Sequence, residues 1–227
     1  MNQTEIKGIT ISFINDKGGV TKSTSSICLA VYLMSKGKRV AIVDADARHT
    51  CLDWAAMADQ HGHDVPLVVA HDQTNVGSAM KMLANDYDYV ICDGMSSFIN
   101  AGRRDAIASI IKASDHVLIP TQPNAFDVWA IEAVAGMIKE RQEITDGSPK
   151  AYIYGASVRD RTNEWRDFLQ EVENAPFPIL ESYLPQSVDF PRSTGEGMTP
   201  LVLTESNRAR QSVEAWGEEI MEQIRNG

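Results

Sequence analysis

The sequence predicts an α/β domain, with a mainly parallel β-sheet covered by helices on both faces. Three observations carry that expectation. Short β-branched runs alternate with helical patterns from one end of the chain to the other, and strand–helix–strand units of this kind build parallel sheets. A glycine-rich turn, Lys17 to Thr21, joins the first strand directly to the first helix. Two strands end in carboxylates, Asp44 with Asp46 and Asp93, and ligands of such sheets gather at the carboxyl ends of the strands.

Each element has its own justification. Residues 9–14 form an apolar, β-branched run that reads as a buried strand. Residues 22–36 place Ile27, Ala30, Val31 and Met34 at helical spacing, and Gly37 stands where a helix stop is expected. Further strands are expected at 40–43, 67–70, 89–92, 117–119, 152–154 and 179–184, with helical patterns between most of them. A helix at about 206–225 closes the chain. Crossovers between parallel strands should be right-handed. No linker, repeat or low-complexity tract interrupts the pattern, so residues 1–227 are expected to form a single domain.

Composition bounds the function. A chain of 227 residues with 43% hydrophobic and 23% charged residues can bury a full core without disulfide or metal staples. Cys28, Cys51 and Cys92 form no C-x-x-C pair and sit in or beside apolar segments, as small core residues in a reducing compartment do. Neither an N-terminal signal nor an apolar run near the ~20 residues of a membrane span is present, which points to the cytoplasm. The net charge of −10 argues against an all-over basic surface. A local basic patch, doubled by dimerisation, remains compatible with nucleic-acid binding.

The chemistry starts at Asn15-Asp16-Lys17-Gly18-Gly19-Val20-Thr21-Lys22-Ser23-Thr24. Gly18 and Gly19 let backbone N–H groups approach an anion, and the helix that follows adds free N–H groups and the positive end of its dipole. Lys22 supplies a point charge for β- and γ-phosphates, and the Ser23 hydroxyl is placed for Mg²⁺. The standard pattern G-x-x-x-x-G-K-[ST] is not met, because Asp16 and Thr21 hold its glycine positions. What stands here is K-G-G-x-x-K-[ST], with Lys17 ahead of the glycines. A strand–helix turn with incidental lysines is the plainer alternative, but two lysines, paired glycines and a Ser-Thr pair at these places favour phosphate.

Asp44 and Asp46 lie two apart on an extended segment and so point to one side. Like charges so placed are costly without a cation or charged ligand; a solvated strand end is the alternative. Residues 89–92 deliver Asp93 at the end of an apolar strand, the Walker B arrangement, with Gly94-Met95-Ser96-Ser97 as a switch segment.

These motifs together resemble the ParA/MinD group of deviant-Walker P-loop ATPases, from Ile9 to Gly197 by motif and to the C-terminus by element order. The resemblance implies ATP and Mg²⁺ as cofactors, and a lysine at Lys17 that reaches a partner's phosphates across a nucleotide-sandwich homodimer. It implies Asp44 near the Mg²⁺ and its water shell, Asp46 orienting the attacking water, and weak hydrolysis by an isolated subunit. The family commonly carries Gly where Thr21 stands, and many partition relatives continue with Pro-Gln where this chain has Ala47-Arg48. Residues 117–123 with Asn124 and Asp127 resemble the family's strand, proline turn and helix start, although Asn124 or Asp127 would serve equally as an N-cap. Pro185-Gln186-Ser187, followed by Phe190 and Gly197, resemble its adenine-side loop; a polar loop with a proline bend reads almost as well.

Arg159, Arg161, Arg166, Arg208, Arg210 and Arg225 are candidates for a basic surface. Arg208, Arg210 and Arg225 lie on or near the last helix, where partition relatives gather non-specific DNA contacts. Glu214, Glu218, Glu219 and Glu222 share that helix, so a mixed solvated face is the competing reading. Trp129, Trp165 and Trp216 read as core or interface anchors.

The function expected from this resemblance is a short plasmid-partition (ParA-type) ATPase. It would close an ATP-dependent homodimer, bind DNA non-specifically, associate with the nucleoid in its ATP state, and answer to a centromere-binding adaptor. Because the first strand is expected almost at once, the helix-turn-helix domain of longer partition relatives is not expected. The alternative is a positioning ATPase for another cargo: a microcompartment, a chemoreceptor cluster or a conjugative complex. A MinD-like membrane regulator is disfavoured by the acidic last helix. An ATP-dependent synthetase lacks a visible second substrate site, and the cysteines are wrongly placed for a shared iron cluster.

Overall fold

The computed structural model describes residues 7–95, 101–123 and 125–226. Its strands are β1 (Ile9–Phe13), β2 (Val40–Asp44), β3 (Leu67–Ala70), β4 (Tyr89–Asp93), β5 (His116–Thr121), β6 (Lys150–Val158) and β7 (Leu184–Pro185). The helices are α1 (Lys22–Ser35), α2 (Thr50–Gln60), α3 (Val76–Leu83), α4 (Ala101–Ala113), α5 (Ala125–Glu143), α6 (Asn163–Glu171), α7 (Asp189–Gly195) and α8 (Arg208–Asn226). One sheet runs in the order β3-β2-β4-β1-β5-β6-β7, and every strand pairing is parallel. The α/β architecture expected from the sequence is the one observed.

The central strands β1, β2, β4 and β5 are buried along most or all of their length because helices cover both faces. On one face α1, α2 and α8 bring Ile27, Leu29, Leu33, Trp54, Val213 and Trp216 onto the sheet. On the other, Met80, Ile107, Ile110, Ile138 and Phe168 do the same from α3 to α6. Each such side chain contributes about 1.5–3 kcal/mol by leaving water. Trp216 is fully buried, and Trp165 packs on Phe168 and Tyr183 with ring centroids 5.3 Å apart. The two polar residues inside β1 are satisfied. Thr10 Oγ1 donates to the Ala113 carbonyl at 2.7 Å, and the Ser12 and Ser114 hydroxyls lie 2.6 Å apart. All three cysteines are buried and free.

The register positions the functional edge. Phe13 pairs with Asp93, and Asp93 with Asp44, so the end of β1 and both carboxylates lie in one row. From β1 the chain crosses to β2 and β3 on one side and later to β5, β6 and β7 on the other. The crevice at that reversal is where open α/β sheets bind ligands. Gly94 follows in the same row, and a Cβ on it would stand 2.4 Å from the Phe13 carbonyl oxygen.

The strand expected over 179–184 is not continuous: Ile179 makes one bridge to Ile153, and pairing resumes only at Leu184. Between them the N–H groups of Glu181 and Ser182 donate to the Glu219 carboxylate on α8, at 2.8 and 2.7 Å, so the backbone turns to the helix instead of the sheet. Ser96, Ser97 and Asn124 lie outside the described residues, as do the side chains of Asp127 and Trp129.

Candidate functional site

The loop between β1 and α1 is built on Asn15. Its buried side chain donates to the Pro120 carbonyl at 2.7 Å and accepts the Lys17 N–H at 2.8 Å, which ties the loop to β5. Gly18 and Gly19 are exposed, and a Cβ on either would meet open space, so backbone there is bare for a ligand. Gly19 has a φ of 80°, which glycine adopts without strain. Thr21 has a φ of 63° as well, and there the residue is β-branched. That backbone explains why the standard pattern has glycine at this position. The Thr21 Oγ1 is buried, with no hydrogen-bond partner among the described residues.

Lys22 opens α1 with its ammonium folded under the loop, donating to the carbonyls of Asn15 and Lys17 at 3.2 and 3.0 Å. Burial lowers its pKa, opposed chiefly by the charges of Asp93 and Asp46. Lys17 is half-buried on the same loop.

Asp93 is fully buried. Burial pushes it up to about 6; a hydrogen bond from Ser23 opposes the rise and the neighbouring Asp44 adds to it. Ser26 Oγ and Cys51 Sγ lie 3.3 and 3.4 Å from its two oxygens. Asp44 accepts backbone N–H groups from Cys51, Leu52 and Asp46 at 2.9, 3.1 and 3.3 Å. Burial outweighs those three bonds and raises its pKa. Asp46 is nearer the surface. Burial acts to raise its pKa, but hydrogen bonds from the Arg48 side chain and N–H hold it below the usual carboxylate range.

Ser23, Asp44 and Asp93 thus converge beside Lys22. Among the described residues no three His, Cys, Asp or Glu side chains form a metal cage. A hydroxyl with one or two carboxylates is an oxygen-only set. It suits a hard cation such as Mg²⁺ that completes its shell with water and phosphate. The donor chemistry therefore fits.

Beyond the loop lies a cavity of about 750 Å³, lined by Thr21 and Thr24 on one side and by Pro185, Gln186, Ser187 and Phe190 on the other. This volume suits a nucleotide-sized ligand. The cavity joins the phosphate loop to the segment expected to read the base. Asp189 and Asn207 support the segment: Asp189 Oδ2 lies 3.1 Å from Ser187 Oγ and accepts from Asn207 at 3.1 Å.

The candidate DNA arginines are not gathered into one patch. Arg208 pairs with Asp160 at 2.6 Å, Arg210 with Glu214 at 2.9 Å and Arg225 with Glu218 at 3.2 Å. Arg208 and Arg225 lie at opposite ends of α8, roughly 25 Å apart at 1.5 Å per residue. Sequence reading missed Asn15 and Cys51 as supports of the site, and Arg159 as part of the cavity wall. Only Asn15 carried a signal, as a buried polar residue just past a strand.

The model of the CobQ/CobB/MinD/ParA nucleotide binding domain matches residues 11–201. The chain belongs to that family. Its fold is accordingly that of a nucleotide-binding domain. A curated relative, maintenance of carboxysome distribution protein A from Halothiobacillus neapolitanus, is 24% identical over 203 residues, covering 89% of this chain and 91% of the relative. Two solved structures share the fold. Cobyrinic acid a,c-diamide synthase from Mycobacterium smegmatis with bound ATP analogue and magnesium matches with a TM-score of 0.72 at 17% identity, over 96% of this chain and 95% of that one. A plasmid partition protein from Borrelia burgdorferi bound to AMPPNP matches with a TM-score of 0.68 at 15% identity, over 96% of this chain and all of that one.

Proposed function

We propose that this chain is a positioning ATPase that hydrolyses MgATP within an ATP-dependent homodimer, holds DNA non-specifically and carries a cargo through an adaptor. The observation behind this reading is the loop with two lysines: Lys22 is buried beneath it and Lys17 stands half-buried ahead of the glycines. One buried lysine is enough to hold a phosphate in a single subunit. A second suits a site completed by another copy.

The backbone of Gly18, Gly19 and Val20 cradles the phosphates, with Thr21 and Thr24 at the cavity side. Lys22 leaves its two carbonyls to take the β- and γ-oxygens. Ser23, Asp44 and Asp93 would hold Mg²⁺. The metal supplies charge neutralisation to the phosphates. Asp46, kept ionised by Arg48, orients the attacking water. Pro185, Gln186 and Ser187 close on the base.

Likeness to a carboxysome distribution protein over 89% of the chain favours a protein compartment. Plasmid DNA with a centromere-binding adaptor is the second reading, favoured by the fold shared with a plasmid partition protein. A MinD-like membrane role is disfavoured by the four glutamates on α8, and no helix among the described residues is long and apolar enough to cross a membrane. Since each α8 arginine is paired within the chain, DNA affinity should belong to the dimer and fall steeply with salt. In the ATP state the protein would then sit on the nucleoid of the cytoplasm.

Replacing Lys17 tests the reading. In a monomeric site Lys17→Ala costs little, whereas against a partner's phosphates, where water is excluded, a fixed charge is worth far more. Light scattering with a slowly hydrolysed ATP analogue, with phosphate release alongside, should show lost dimerisation and at least tenfold slower turnover, on the order of the effects of single electrostatic groups. A variant that dimerises and turns over like the parent overturns the shared site.

A further inference from the structure

We propose that Arg159 reads the nucleotide base, through the acceptor edge of a purine, and that the cavity therefore accepts guanine as well as adenine. The inference rests on the nucleotide reading of the cavity and extends it to specificity.

Three observations converge on Arg159. It lines the 750 Å³ cavity together with Thr21 and Thr24, and it also lines a smaller polar cavity of about 160 Å³ beside Gln122 and Glu164. Arg159 therefore borders both cavities, as do Ser157 and its partner Gln186. Its Nε–H donates to the Gln186 side-chain oxygen, which fixes the plane of the group and leaves the Nη donors for other acceptors. Finally, the strand that delivers it is irregular. The β6–β7 register shifts between Ala156 and Val158, and Ser157 between them takes a left-handed φ of 56°. Such irregularities re-aim the side chains that follow and are concentrated beside functional sites.

Charge supports the same reading. Among the described ion pairs Arg39, Arg48, Arg161, Arg208, Arg210 and Arg225 each face a carboxylate. Arg159 faces the neutral Gln186 instead, and among the described residues no ion pair matches its charge. A donor-only fork discriminates by acceptors. Guanine offers N7 and O6 side by side, whereas adenine offers N7 beside a donor amine. Arg159 thus favours guanine, and at the least it withdraws any penalty against it.

Displacement of mant-ADP by unlabelled ADP and GDP reads this directly, because diphosphates separate base recognition from turnover. In the parent, GDP should compete within about tenfold of ADP. Arg159→Ala should weaken GDP roughly tenfold and ADP about threefold or less, so the ratio moves against guanine. Gln186→Ala, which frees the guanidinium plane, should move the ratio the same way by less. Arg159→Lys keeps the charge without the fork and should behave like the alanine variant in ratio. Unfolding midpoints of all three should match the parent, since Arg159 and Gln186 are both exposed. An unchanged ratio, equal losses for both bases, or failure of GDP to displace the probe from the parent overturns the assignment. If mant-ADP does not bind the parent at all, the nucleotide reading fails with it.

Discussion

Thr21 shows how a single residue can be held against its preference. A left-handed backbone costs a non-glycine residue about 1–2 kcal/mol, and a buried hydroxyl without a partner adds about 1–3 kcal/mol. Glycine would remove both terms while adding about 0.5–1 kcal/mol of unfolded-chain entropy. We therefore expect Thr21→Gly to stabilise the nucleotide-free protein by about 1 kcal/mol, read as a higher urea midpoint at unchanged slope. A lower midpoint would mean that the Thr21 methyl contributes more by packing than the backbone loses by strain. Sequence alone marked Thr21 as a departure from the standard loop, but the φ of 63° that makes the departure costly is a property of the folded turn. Lys17, Lys22 and Ser23 could be singled out because they share one short strand–loop–helix unit, and Asp93 because it ends an apolar run. Cys51 could not. Its thiol reaches Asp93 only because the fold brings the first turn of α2 beside the end of β4.

At the scale of elements, α2 begins on a borrowed cap. Its N-cap residue, His49, has a left-handed φ of 49° and makes no side-chain cap. Asp44, at the end of β2, accepts the N–H groups of Cys51 and Leu52 in its place. A carboxylate expected from the resemblance to lie near the metal is therefore also the staple that starts a helix. Removing a cap costs about 0.5–2 kcal/mol, and here the loss falls on the first turn. Asp44→Ala should thus speed amide exchange at Cys51 and Leu52 about tenfold, while Ile91 and Cys92 in β4 stay protected; Asp44→Asn, which retains an acceptor, should be close to the parent. Uniform loss of protection across the sheet would show that Asp44 supports the whole fold instead. Element types followed from hydrophobic pattern, since buried parallel strands are continuous apolar runs. The last strand failed for a tertiary reason: Glu219, 38 and 37 residues away, takes the N–H groups that pairing would have used.

For the whole molecule, two buried titratable groups at opposite ends of the sheet oppose each other in acid. His116 stacks on Tyr152 at the amino end of β5, with a ring nitrogen that has no partner. Burial lowers its pKa, with Asp115 raising it and Lys150 adding to the fall. The unfolded chain therefore binds the proton first, and stability drops as pH falls through the unfolded value of 6.5. Asp93 has the opposite sign: its folded pKa is raised to about 6, so protonation below that pH favours the native state. Comparison of the parent with His116→Gln separates the two. Between pH 8 and pH 5 the parent should lose stability relative to the variant, and urea titrations giving a constant difference would remove His116 as a source of acid sensitivity.

By itself the sequence determined the alternation of strands and helices, the glycine-rich turn with its two lysines, and which carboxylates end strands. Each of these is encoded locally, in hydrophobic period, in glycine and lysine spacing, and in the residue that follows an apolar run. Tertiary structure decided what those groups do to one another. It set Asp44 and Asp93 side by side in neighbouring strands distant in the chain, and it closed the cavity with Gln186 and Arg159 from the far half of the sheet. It also paired every α8 arginine of the expected DNA surface with a carboxylate. Burial and charge pairing act through space and depend on distances of a few ångströms. Those distances exist only once parallel strands from remote parts of the chain have been laid in register.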